Sequence, residues 1–163
     1  ASSVVKIDVN SNSIVETYEV GLGPQSLVIE NNDVYVARTF YDENWVSFHG
    51  SSKISQSEIT MKNYGVGTAC GGSIMKHRNE VYRSFDGGIA TLDFELNINT
   101  ASKIGSYDQS QVYSTEVIGD YIYFGITNYV DVNQVRIMDF NNNEIGTYDV
   151  GISPGDFAVW RSE

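Results

Sequence analysis

The sequence predicts an all-β protein assembled from repeated units of four short antiparallel strands. Three observations carry this. Apolar residues recur at every second position in stretches such as Val5, Ile7 and Val9, a period that suits half-buried strands. β-branched and aromatic runs, Asp33-Val-Tyr-Val-Ala37, Glu80-Val-Tyr82 and Tyr121-Ile-Tyr-Phe-Gly125, are separated by Asn and Gly clusters at 30–33, 86–88 and 141–143. A tyrosine-led phrase also recurs: Tyr18-Glu-Val-Gly-Leu-Gly-Pro24, Tyr64-Gly-Val-Gly67, Tyr107-Asp-Gln-Ser110 and Tyr148-Asp-Val-Gly-Ile-Ser-Pro154. Its intervals are 46, 43 and 41 residues. A repeat of about 40–50 residues holding four strands has the length of a propeller blade. No helical period longer than two turns is visible.

The strands, lettered a to d from the inside of a blade outward, follow in order. Residues 4–9 and 14–20 are strands c and d of an incomplete blade. A full blade takes 25–30, 33–39, 45–50 and 57–64. A second takes 71–76, 79–84, 88–95 and 101–107, and a third 112–118, 121–127, 134–140 and 144–150. Residues 155–160 are a lone strand a. The chain is thus one propeller segment over 1–163, divided into 1–20, 21–64, 65–107, 108–150 and 151–163. Ile7-Asp8, Leu92-Asp93 and Met138-Asp139 close strand c, with Phe48-His49 in that place in the first full blade. Tyr18, Tyr64, Tyr107 and Tyr148 are expected at equivalent points on the outer strands. The turns Asp8–Asn12 and Asp139–Asn143 resemble calcium loops but lack the Gly and the distal Glu. Asn and Asp are also what hairpin turns need.

This makes fifteen strands, about 3.5 blades, and fewer than four blades rarely close a ring. The two ends supply strands c, d and a, but no b. The expectation is the C-terminal half of a seven- or eight-bladed ring. The missing half, or a homodimer partner, would cover the open blade edges.

Bulk properties narrow the function. The 163 residues suffice for an ordinary core, and 41% hydrophobic with 19% charged residues marks a globular chain. A net charge of −11 argues against nucleic acid and anionic lipid, which need a basic surface. No apolar run approaches the ~18–20 residues of a membrane span. The polar start Ala1-Ser-Ser3 shows no signal peptide. Cys70 is alone, so it forms no intrachain disulfide, and among Ala69, Gly71 and Gly72 it reads as a packed small residue.

Residues 7–37, with Ile7-Asp8, Tyr18, Gly21, Gly23-Pro24, Ser26-Leu27 and Tyr35-Val-Ala37, resemble the YVTN-type propeller repeat of bacterial and archaeal surface-layer and exported proteins. Tyr148-Asp-Val-Gly-Ile-Ser-Pro-Gly-Asp-Phe157 is similar to the closing segment of exported or lipid-anchored Bacteroidetes propellers, which include surface cobalamin-binding lipoproteins. The resemblance is sharp over 4–37 and 144–157 and departs at Phe48-His49 and Ala69-Cys-Gly71. It implies a bacterial extracytoplasmic location, secreted, periplasmic or surface-attached, and assigns no ligand residue.

The blade register places the b–c loops on one face. They read Thr39-Phe-Tyr-Asp-Glu-Asn-Trp45, Ser84-Phe-Asp-Gly-Gly88 and Thr127-Asn-Tyr-Val-Asp-Val-Asn133. Each holds an aromatic followed within two residues by aspartate: Tyr41 and Asp42, Phe85 and Asp86, Tyr129 and Asp131. A ring to stack on and a carboxylate to accept suit a small molecule, a glycan, a corrinoid-like ligand or a protein segment. Trp45 adds a ring. Arg38 and Arg83, at the ends of successive strands b, add donors for phosphate or carboxylate. The alternative is that the rings pack between blades and the aspartates cap turns.

Nothing points to a metal, a cofactor or a catalytic triad. His49 and His77, the two histidines, are expected at a strand c end and an a–b turn, on the face opposite the aromatic loops. Asp42 and Glu43 are adjacent, so a strand would point them apart. A binding module is therefore favoured. A lyase or hydrolase with carboxylates converging on the central channel, and a structural surface-layer role, are the alternatives.

Overall fold

The computed structural model describes residues 1–67 and 72–160; the stretch around Cys70 lies outside them. The described chain is all-β and holds no α-helix. Thirteen strands form four antiparallel sheets. Sheet I is the hairpin β1 (Ser3–Asp8) and β2 (Ser13–Glu19). Sheet II is β3 (Pro24–Glu30), β4 (Asp33–Tyr41), β5 (Ser47–Ser55) and β6 (Glu58–Val66), paired in chain order. Sheet III has three strands, β7 (Ile74–His77), β8 (Glu80–Phe85) and β9 (Gly88–Leu92). Sheet IV is β10 (Val112–Ile118), β11 (Tyr121–Ile126), β12 (Asn133–Asp139) and β13 (Glu144–Val150).

The sheets stack face to face in chain order, because each strand buries alternate residues on both sides. Val36 and Ile54 of sheet II meet Val4 and Tyr18 of sheet I. Tyr35 and Ala37 on the opposite face meet Ile74, Val81 and Leu92 of sheet III. Met75, Tyr82 and Ile89 then meet Ile122, Phe124 and Met138 of sheet IV.

The first strands lie together, with β7 beside both β3 and β10. The turns that follow them share one end of the stack. Lys76 pairs there with Glu30, and His77 Nε2 lies 2.9 Å from Asp120 Oδ1. The β4–β5, β8–β9 and β11–β12 loops consequently all leave at the opposite end.

Several expectations are corrected. Residues 101–107 are not a strand. Asn99 accepts from Ala101 N and caps one 3-10 turn, Thr100–Ser102, and Gly105 takes φ +87°. The pairing survives as one bridge, Ile104 to Ile89, and one hydrogen bond from Tyr107 N to Gly87 O at 2.9 Å. Residues 155–160 also form no strand. Ser114 Oγ donates to Pro154 O, and Phe157 leans on Tyr123 at 5.7 Å.

Ile54-Ser55, not Phe48-His49, ends the third strand of sheet II. Ile54 faces Ile59, as Ile7 faces Ile14. Gln56 and Ser57 close that hairpin at φ +47° and +73°, so no aspartate is needed. The four tyrosines are not all equivalent. Tyr18 faces Val4 and Tyr148 faces Val135, but Tyr64 occupies a bulge opposite His49 and Gly50, and Tyr107 lies outside any strand.

Candidate functional site

The β4–β5 loop is built by Asp42. Its Oδ1 accepts from Asn44 N (2.9 Å) and Val46 N (2.8 Å), while Trp45 N donates to Asp42 O (3.1 Å). Asp93 and Asp139 make the same loop. Asp93 Oδ1 accepts from Glu95 N (2.9 Å) and Asn97 N (2.7 Å); Asp139 Oδ1 accepts from Asn141 N (2.9 Å) and Asn143 N (2.8 Å). Hydrogen bonds hold the Asp139 carboxyl below the ordinary aspartate value, with Asn143 foremost. For Asp93 the donors, Asn97 first among them, outweigh the opposing effect of burial. The fourth loop residue takes a left-handed backbone in all three: Trp45 at φ +62°, Leu96 at +63° and Asn142 at +65°.

That conformation costs a bulky residue about 1–2 kcal/mol. Asn tolerates it, which explains Asn142. Leu96 offsets it by full burial against the Tyr35–Val81 cluster. Trp45 does neither, being 83% exposed. Among the described residues its ring meets only the ring of Tyr41, at 6.3 Å, itself 56% exposed.

The β8–β9 turn is tight, with Asp86 at φ +46° and Gly87 at +72°. Asp86 Oδ2 accepts from Lys103 Nζ at 2.5 Å, and Phe85 is half-buried. The β11–β12 loop is tied down by Asn128, whose Oδ1 accepts from Val130 N and Asp131 N, both at 3.0 Å. Asn128 Nδ2 reaches Asp131 Oδ2 at 3.5 Å. Tyr129, at φ +66° and 52% exposed, stands edge-on to Tyr113 at 6.1 Å. Val130 and Val132 beside it are exposed. A hollow of about 220 Å³ opens below this loop, lined by Thr127, Asn128, Val132 and Arg136 among others.

Tyr41, at the end of β4, and Trp45 and Tyr129, on the loops that follow β4 and β11, are thus exposed rings at one end of the stack. Asp42 and Asp86 already have partners in their own surroundings. Arg38 and Arg83 are interior. Arg38 shares the face of Val36, stacks at 5.3 Å on Phe40, and donates from Nη2 to Lys62 O at 3.2 Å. Arg83 is 1% exposed between sheets II and III.

His49 corrects a further expectation: facing Thr39 near the start of β5, it lies close to the aromatic-loop end, not the opposite one. His77 is at the far end, stacked at 3.7 Å on Phe140. Among the described residues no three His, Cys, Asp or Glu side chains gather as a metal site. No helix there is long and apolar enough to cross a membrane.

The sequence already marked Tyr41, Trp45 and Tyr129 as site residues and Arg38 and Arg83 as donors beside them; it missed that both arginines are interior and that His49 lies close to Arg83. The signal was present, since Arg38 follows Val36 and Arg83 follows Val81 at the strand period of two, on faces that point inward. No protein-family model matches the chain, and no curated protein does either.

Proposed function

We propose that the chain is a β-propeller segment that binds a ligand through the aromatic loops at one end of its stacked sheets. The four-stranded sheets, the shared orientation of their first strands and the face-to-face stacking support blades; the bridge through Ile104 supplies the vestige of a fourth strand in sheet III. In this reading the module is extracytoplasmic and bacterial, as its likeness to YVTN-type repeats suggests, and it acts by recognition. Further blades then pack on the outer faces of sheets I and IV, and further strands complete sheet I and cover the part of sheet II that β1 and β2 leave bare. Leu27 and Ile29 stay exposed there beside a cleft of about 530 Å³ that also meets Val4 and Val34.

The observation that carries the binding assignment is Trp45. The unfavourable backbone conformation at Trp45 holds an indole that, among the described residues, meets Tyr41 alone, so its side chain offsets none of the cost by burial. Strain of this kind gathers at ligand sites. The two rings and Tyr129 offer π-faces and little free carboxylate. That suits a glycan, a corrinoid-like ring system or a peptide with apolar or cationic groups.

Trp45→Asn tests the assignment. Asn suits the left-handed position, so the melting temperature should hold or rise. Affinity for the ligand found by screening glycans, corrinoids and peptides should fall roughly fivefold, and tenfold or more with Tyr41→Ala added, at about 1 kcal/mol per ring. Unchanged affinity in the double variant would remove these loops from the site.

A further inference from the structure

Arg83 lies in the interior, apart from the aromatic loops. Its Nη1 donates to Ser73 O at 3.1 Å and to Ser84 Oγ at 2.5 Å. Nε and Nη2 make no hydrogen bond and are shut away from solvent. These two nitrogens form one edge of the guanidinium, with parallel N–H groups, the edge that a carboxylate takes bidentately. Among the described residues no Asp or Glu pairs with Arg83.

Among the described residues the surroundings do not supply a negative charge either. His49 is in the same interface with its Nδ1 buried and unbonded. The Tyr64 hydroxyl donates to Leu96 O at 2.9 Å, and Arg38 adds a second cation close by. Burial lowers the Arg83 pKa to about 10, so the group is still charged at neutral pH. Burial, and then Arg83 itself, push the His49 pKa down. A buried guanidinium with one whole edge unbonded is strongly unfavourable unless an anion meets it.

We propose that the Nε–Nη2 edge of Arg83 binds a carboxylate, held between sheets II and III with His49 and Tyr64 nearby. The carboxylate is either a free small anion or the end of a larger ligand. Ser73 and Ser84, the residues that Arg83 Nη1 contacts, are both half-buried. Binding there would join the two sheets and brace the end from which the loops emerge.

The test uses wild type and Arg83→Met in a buffer free of small carboxylates. Sodium formate is titrated against sodium chloride at equal ionic strength. The wild-type melting midpoint should rise saturably with formate and more than with chloride, and the Met variant should show no such excess. The ranking should also cross. Without formate the Met variant, relieved of an unpaired charge, should match or exceed wild type; at saturating formate it should fall below. Arg83→Lys keeps the charge but loses the two-pronged edge, so its formate affinity should drop at least tenfold. Should the variants fail to fold, the Arg83 Nε–H resonance of wild type gives a direct readout and should shift with formate. N-acetylglycine in the same titration identifies the source: a matching rise points to the end of a larger ligand, and a rise with formate alone to a free anion. An equal response in wild type and Arg83→Met, or an unmoved Nε–H resonance, would overturn the proposal.

Discussion

Truncating Tyr107 should cost far more stability than truncating Tyr148, although the two open the same recurring phrase. Tyr107 crosses from sheet III to sheet IV. Its ring stands edge-on to Phe124 at 5.0 Å, and its hydroxyl donates to Glu144 Oε2 at 2.7 Å. Tyr148, 59% exposed, lies on the outer face of sheet IV over Gly146. A fully buried aromatic costs about 3–5 kcal/mol when cut to Ala, so the half-buried Tyr107 should lose about 2–4 and Tyr148 under about 1. For a domain of this size that is roughly 5–15 °C against 3 °C or less. Tyr107→Phe keeps the ring and loses one hydrogen bond, about 1 kcal/mol. It should also change the acid limb. The Tyr107 hydroxyl is the largest influence holding the Glu144 pKa below its ordinary value. A carboxyl depressed in the folded state stabilises above its unfolded pKa and loses that contribution as pH falls through the folded pKa. Tyr107→Phe should therefore lose less stability on acidification than wild type. Urea unfolding followed by far-UV circular dichroism suits the measurement, because Trp45 and Trp160 are too exposed to report on the core. Equal losses in Tyr107→Ala and Tyr148→Ala would refute the idea that the inter-sheet contact sets the cost.

Two further substitutions probe the turns. Gly87→Ala should destabilise by about 3 kcal/mol or more, because φ is +72° and a Cβ would lie 1.7 Å from Tyr107 O. Gly119→Ala, at φ +62° with nothing within 4 Å, should lose only about 1 kcal/mol in the same urea assay. Asp139→Ala should lower the melting point at neutral pH but not at about pH 2, since the depressed carboxyl contributes only while ionised. A constant difference across that range would mean the loop is held by something other than the carboxylate.

The all-β class and most strands were legible because alternation and turn chemistry are local. Asn32-Asp33, Asp86-Gly87 and Gly119-Asp120 mark hairpins that any reader of turns would place, and the structure turns at each. What failed was register where a strand ran long. β5 extends to Ser55 because a two-residue turn replaces the aspartate loop, and a bulge between His49 and Gly50 shifts its pairing with β6. A tyrosine counted along the chain cannot reveal that added residue. The expected strand at 101–107 failed for a related reason: Asn99 and Gly105 carry more local preference than the sparse pairing partners beside them can override.

The site shows the same division between what is local and what depends on packing. Tyr41 ends β4 and Tyr129 falls in the β11–β12 loop, each beside residues that mark a turn, so their position follows from the sequence. The role of Asp42 does not, because an aspartate after an aromatic reads equally as ligand acceptor or loop brace. Comparison of three loops with one hydrogen-bond pattern separates these roles. With Asp42, Asp93 and Asp139 all occupied by backbone N–H groups, the chemistry that differs between the loops lies in their fourth residue. A backbone preference accounts for Asn142 and burial accounts for Leu96, and neither accounts for Trp45. The same reasoning applies inside the stack. Lys53, also buried, answers its charge with Phe94, through the carbonyl at 2.7 Å and the ring face. Arg83 has no such partner on its Nε–Nη2 edge. An unpacked indole on the surface and a guanidinium edge in the interior are both left without a partner among the described residues, and each therefore defines the chemistry of what would meet it: an apolar or π-faced surface outside, a carboxylate within.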